Sequence, residues 1–206
     1  MNVRLFQPNS GAAQFILHDE THMDAFEQVV SEILWMEGYW VRTSLKVDLT
    51  KEEKVSIGRP SSPRWELDIV GYSGRDNILC VVECKSYLDS RGVVLRAFDG
   101  SDTKSAERYK LFSDDNLRDV VFRRLRMQLA DCGACAPDAT VKICLACGRI
   151  ATTADREGLH RHFAEKGWEL WDEKWLRGKL QRMSESGYEN QVSAVVAKLL
   201  LRGEVG

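Results

Sequence analysis

Asp68, Glu83 and Lys85 are the residues of this chain whose types and spacing could do chemistry. Side chains alternate along a β-strand, so in the run Val82-Glu83-Cys84-Lys85 the glutamate and the lysine share one face and Cys84 takes the other. Their Cα atoms then lie about 6.6 Å apart. The segment Ser73-Gly-Arg-Asp-Asn77 has the composition of a hairpin turn, and a turn centred there sets Asp68 opposite Glu83. Two carboxylates and an ammonium converge on one patch. Close carboxylates repel, and one of them protonates unless a cation sits between them. A hard divalent ion such as Mg²⁺ relieves the repulsion, since it takes oxygen ligands, keeps several waters and fills its shell with phosphate. A lysine beside it can orient or deprotonate the attacking water, or stabilise charge developing on a phosphate. This is the chemistry of metal-assisted phosphodiester hydrolysis.

The elements that must position this patch are legible around it. Strand signals run over Trp65–Tyr72 and Ile78–Lys85. Upstream, Met23, Phe26, Val30, Ile33 and Leu34 recur at helical spacing, which predicts a helix from near Thr21, where Thr21-x-x-Asp24 offers a capping box, to Gly38. Tyr39–Val47 alternates as a strand does, and the polar stretch 48–64, with Gly58-Arg-Pro-Ser-Ser-Pro63, reads as a loop. Residues 86–115 carry no clear pattern. Beyond them, Leu117–Cys132 reads as a helix with Leu117, Val120, Val121, Leu125 and Leu129 on one face, and Thr140–Cys147 as a buried strand. A helix over 155–166, a short strand over 168–171 and helices near 172–184 and 189–202 close the chain. The order predicts a single α/β domain with a mixed β-sheet flanked by helices, its core about 20–148 and a C-terminal α/β extension about 149–206.

Asp68, a turn, and then Glu83-Cys84-Lys85 resemble the D…(D/E)-x-K signature of the PD-(D/E)xK nuclease superfamily, the restriction-endonuclease-like fold, with Leu67 in place of the proline that often precedes the aspartate. Phe26-Glu27, Ile33-Leu34 and Glu37-Gly38-Tyr39 resemble that family's first helix, whose glutamate often completes the metal site. Glu27 is the matching carboxylate and Glu32 the alternative. The family's αβββαβ core also agrees with the order read from Thr21 to Cys147. The resemblance implies an Mg²⁺- or Mn²⁺-dependent deoxyribonuclease, endonuclease-like. Asp68, Glu83 and the backbone carbonyl of Cys84 would bind the metal, Lys85 would position the attacking water, and Glu27 would hold the metal shell from the helix. The partner would be nucleic acid, specifically DNA, and a homodimer would serve to cut both strands. A second reading, from a different class, is a nuclease-fold nucleic-acid-binding or scaffold module without turnover.

Composition bounds these readings. The 206 residues are 44% apolar and 29% charged, ordinary globular values, and 29 Lys+Arg against 31 Asp+Glu leave a net charge of −2, which excludes coating nucleic acid through bulk positive charge. A local patch is still available: Arg118, Arg123, Arg124 and Arg126 could present a phosphate-binding face on the 117–132 helix, set against a solvated face balanced by Asp114, Asp115 and Asp119. The start of the chain lacks a signal-peptide pattern and no apolar run approaches the ~20 residues of a membrane helix, so a cytoplasmic protein with reduced thiols is expected. Cys132-x-x-Cys135 and Cys144-x-x-Cys147 have zinc-site spacing, the basis of a third reading, a zinc-stabilised DNA-binding protein. The second pair, however, falls in a strand, where residues three apart face opposite sides, which favours cysteine as a small core residue.

Overall fold

The computed structural model describes residues 24–61, 64–187 and 190–202. Five strands, β1 (Trp40–Val47), β2 (Trp65–Ser73), β3 (Ile78–Lys85), β4 (Thr140–Cys147) and β5 (Glu169–Trp171), form one mixed sheet in the order β1-β2-β3-β4-β5. The first three are an antiparallel meander, and β4 and β5 run parallel to β3. Among the described residues eight α-helices accompany them: α1 (Ala25–Met36), α2 (Lys51–Ser56), α3 (Thr103–Ala106), α4 (Lys110–Ser113), α5 (Asp115–Asp131), α6 (Thr153–Lys166), α7 (Glu173–Glu185) and α8 (Val192–Leu201). Parallel strands need long crossovers, which α5 and α6 lie within. Among the described residues no helix is long and apolar enough to cross a membrane.

Each face of the sheet carries its own core. On one side Leu79, Val81 and Leu145 pack with Leu117, Val121 and Leu125 of α5 and with Leu159 and Phe163 of α6. On the other, Ile69, Val82 and Cys144 pack with Val30, Ile33 and Leu34 of α1, Leu176 of α7 and Ala194 of α8. Burying each such side chain is worth about 1.5–3 kcal/mol, so the two layers clamp the sheet between them.

β1 and β2 serve both cores because they invert. Val41 packs with the α1 layer, whereas Leu45 and Val47, of the same parity, lie in the α5 layer. Ser44 between them has φ +48°, a left-handed conformation rare for a non-glycine residue. The neighbouring strand inverts at the same level, with Leu67 in the α5 core and Ile69 in the α1 core. Pairing of β1 with β2 holds at Thr43 with Ile69 and Leu45 with Leu67 but lapses between them, at Ser44 and Asp68.

Several expected boundaries shift. Asp24, not Thr21, is the cap of α1, its carboxylate accepting the Phe26 N–H at 2.8 Å; Thr21 and Met23 lie outside the described residues. The stretch read as a loop over 48–64 contains α2, nucleated by a capping box in which Thr50 and Glu53 exchange hydrogen bonds. The unpatterned region after β3 holds α3, α4 and two 3₁₀ turns, Leu95–Ala97 and Glu107–Tyr109.

Candidate active site

The turn at 73–77 sets the register of the second hairpin, which pairs Ser73 with Ile78 and runs back to Ile69 with Val82. One step further that register brings Asp68 level with Glu83. There the backbone ladder stops, and the Asp68 side chain takes it over: its Oδ2 accepts the backbone N–H of Cys84 at 2.8 Å. The strand inversion at Asp68 supplies the reason, because a residue at the crossing point can direct its carboxylate sideways, to the neighbouring strand.

Glu83 and Lys85 continue the row of Leu79 and Val81, while Cys84 faces the α1 layer with Cys80 and Val82. Lys85 Nζ lies 2.6 Å from Glu83 Oε1 and also donates to the Cys84 carbonyl at 3.1 Å. Both side chains are about four-fifths shielded from solvent. Burial pushes the Glu83 carboxyl up, Lys85 opposes this and the negative charge of Asp68 reinforces it, leaving Glu83 above the ordinary range. Burial disfavours the Lys85 charge, but Glu83 and Asp68 outweigh it and hold Lys85 as an ammonium ion.

The two candidate helix glutamates part company. Glu27, half-buried on the first turn of α1, is pushed up to about 7, first by burial and then by Asp68, with Lys85 pulling the other way. Its carboxyl thus feels the charges of both Asp68 and Lys85. Glu32 is committed elsewhere. Its Oε2 accepts the Ser193 N–H at 2.8 Å at the start of α8, and its Oε1 accepts from Gln28 at 2.6 Å. Burial raises its pKa, but these hydrogen bonds prevail and hold it below the ordinary carboxylate range. Glu32 is therefore the anchor of α8.

Among the described residues no group of three or more His, Cys, Asp or Glu is arranged to hold a metal ion. An Mg²⁺ site asks for less, since one or two carboxylates with water and phosphate suffice. The donor chemistry fits such an ion. The oxygens are hard, Lys85 pairs with Glu83, and the Glu27 and Glu83 carboxyls are both raised by burial and by the negative charge of Asp68, a state a dication relieves.

Of the α5 arginines, for which a phosphate-binding face and a solvated, acid-balanced face were both open, most are engaged within the protein. Arg124 grips Glu53 of α2 through Nε and Nη2 at 2.9–3.1 Å. Arg118 donates to the Leu111 carbonyl and to Asp115 and lies 5.3 Å over the Trp168 ring, and Arg126 reaches the Ala139 carbonyl at 3.4 Å. Three of the four thus stitch α5 to its surroundings, and Arg123 stands exposed. The cysteine pairs separate as strand geometry requires: Cys144 packs in the α1 core and Cys147 in the α5 core. Cys135 is buried and Cys132 exposed.

The pattern-free segment after Lys85 also contributes, which sequence reading missed. Tyr87 sits at φ +43° beside Lys85, whose charge it favours. Gly148 made this legible only in part: it ends β4, but its real constraint is tertiary, because a Cβ there would lie 2.2 Å from the Ser86 carbonyl oxygen. Fold and site together define an α/β protein with an open, five-stranded mixed sheet and a carboxylate–lysine patch at the C-terminal end of β3. Compared with protein-family models, curated proteins and solved structures, the chain matches none.

Proposed function

We propose that this protein is a metal-dependent DNA phosphodiester hydrolase of the PD-(D/E)xK type, with an endonuclease-like site. The observation that carries this reading is the convergence of Asp68 on the Cys84 amide with the Lys85–Glu83 pair on either side of it. Asp68, Glu83 and the Cys84 carbonyl are the groups that would hold Mg²⁺ or Mn²⁺. When bound, such an ion polarises the scissile phosphate and lowers the pKa of water. Lys85, kept charged by its acidic neighbours, orients the attacking water and offsets negative charge gathering on the phosphate. Glu27 closes the patch from α1.

The test is a cleavage panel over circular duplex, linear duplex and single-stranded DNA and RNA, with Mg²⁺, Mn²⁺ or chelator, for the wild type and Lys85→Ala. Divalent-dependent cleavage that disappears in the variant supports the reading. Equal cleavage by both ends it. Binding without cleavage under every condition leaves a nuclease-fold binding module instead.

A further inference from the structure

Between Lys85 and α4 the chain forms a cavity of about 210 Å³, lined by Arg91, Arg96, Arg108, Tyr87, Ser90 and Ser105 among others. Tyr87 and Ser90 also line the larger cleft, about 540 Å³, that opens before the first turn of α1. These two residues are the wall between the cavity and the cleft, and Tyr87 stands next to Lys85.

The charge balance in the cavity is one-sided. Arg96 pairs with Asp102 at 3.3 Å. The guanidinium groups of Arg91 and Arg108 form no hydrogen bond or salt bridge with any described residue, the charge of Arg108 acting only on neighbouring Tyr109, and both residues are exposed to solvent. Guanidinium groups present planar forks that match phosphate oxygens. Ser105 already donates to Asp102 at 2.7 Å and Ser90 to the Tyr87 carbonyl at 3.5 Å, whereas the Tyr87 hydroxyl accepts from Tyr109 at 3.4 Å and keeps its own proton to donate.

The backbone here is held against its preference. A bulky residue at positive φ, as Tyr87 is, persists only where surrounding contacts enforce it. Those contacts are present. The Gly148 N–H donates to the Lys85 carbonyl at 3.1 Å, and Val93 bridges to the Arg149 carbonyl and the Ala151 N–H at 3.0 and 2.9 Å. Gly92, at φ +94°, abuts Arg149 so closely that a Cβ would come within 2.9 Å of its oxygen. The segment is pinned at both ends, with Tyr87 and the arginines between.

We infer that this cavity is a phosphate pocket that holds a second phosphate of the same strand whose scissile phosphate lies at Asp68, Glu83 and Lys85. The identity of that strand rests on the function proposed above; the pocket's affinity for phosphate does not. The second phosphate is either a terminal monoester or the next internal diester, since both offer the same oxygens to the arginines.

The experiment has two arms. In the first, inorganic phosphate and pyrophosphate are titrated into the wild type, Lys85→Ala, and the double variant Arg91→Ala/Arg108→Ala, reading binding by calorimetry and thermal shift. The wild type and Lys85→Ala bind, and the double variant binds at least tenfold more weakly while keeping its own melting temperature, because neither arginine supports the fold. In the second arm, Lys85→Ala, with and without the two arginine substitutions, binds oligonucleotides bearing 5′-phosphate, 3′-phosphate or hydroxyl ends, and a circular strand. A tenfold preference for one phosphorylated end that the arginine substitutions erase identifies the terminal monoester. Equal binding to all forms, weakened by the same substitutions, identifies the internal diester. Phosphate and oligonucleotide affinities that do not change in the double variant overturn the pocket. Phosphate binding without cleavage by the wild type overturns the hydrolase instead, so the two failures are distinguishable.

Discussion

The carboxylate of Asp68 occupies the position where β2 would otherwise hydrogen-bond its neighbour, accepting the Cys84 N–H at 2.8 Å. One bond thereby sets an acid against Cys84, the residue that Glu83 and Lys85 flank in sequence on the next strand. An amide oxygen accepts an N–H as a carboxylate does, so Asp68→Asn should keep the fold, within about 1 kcal/mol, and still lose the negative charge. Divalent-dependent cleavage is expected to fall on the order of 10²–10⁴-fold in Asp68→Asn, read against an unchanged circular-dichroism spectrum. Asp68→Ala should lose activity and, by stranding the Cys84 amide, about 1–3 kcal/mol of stability as well. An asparagine variant as active as wild type would contradict the role given to this carboxylate.

Glu27 makes stability depend on pH in a stated direction. Its folded-state carboxyl is raised from 4.5 to about 7, so the ionised form is disfavoured in the native protein. Below about pH 4.5 both folded and unfolded chains carry the proton and no penalty exists; the penalty builds as pH rises to about 7 and is constant above. Glu27→Gln removes it. Urea titrations in chelator should show the variant more stable than wild type by about 1–2 kcal/mol above pH 7, allowing for the partial exposure of the side chain, and equal to it near pH 4.

Glu32 is expected to act through α8 alone. Glu32→Ala strands the Ser193 N–H and should cost about 1–3 kcal/mol. Hydrogen exchange over Val192–Leu201 should accelerate before that of β3, while any cleavage rate at a temperature below unfolding stays at the wild-type value. Faster exchange at β3 with α8 unchanged would refute the assignment.

Gly148 tests whether the segment after Lys85 is set by its contact with β4. A methyl at this position would lie 2.2 Å from the Ser86 backbone oxygen, and backbone cannot yield as a flexible side chain does. Gly148→Ala should therefore destabilise by about 2 kcal/mol or more and weaken phosphate binding along with it. A variant with unaltered melting temperature and phosphate affinity would show that the contact is dispensable.

Much of the site's frame could be read in advance for a simple reason. A short turn at 73–77 dictates register, which sets Asp68 level with Glu83, and two-residue alternation puts Glu83 and Lys85 on one face. The sideways reach of Asp68 could not be read, because it depends on an inversion at Ser44, a residue whose type gives no hint of positive φ. α2 was hidden in a polar stretch, although Thr50-x-x-Glu53 carried its capping signal. The partners of the α5 arginines could not be read because some are distant in sequence; Glu53, 71 residues from Arg124, is invisible to local pattern. Tyr87 and the arginines near it belong to a segment shaped by β4, not by its own propensities.

The inversion of β1 and β2 has a consequence for how the molecule comes apart. Val41 and Leu45 are four residues apart on one strand, yet each is committed to a different helical layer. Neither layer can peel away while the other keeps an intact sheet, since the same two strands would lose half their packing. Melting is thus coupled across the sheet and the two helical layers of the described residues, and a partly unfolded species retaining only one layer would keep β1 and β2 without half of their partners.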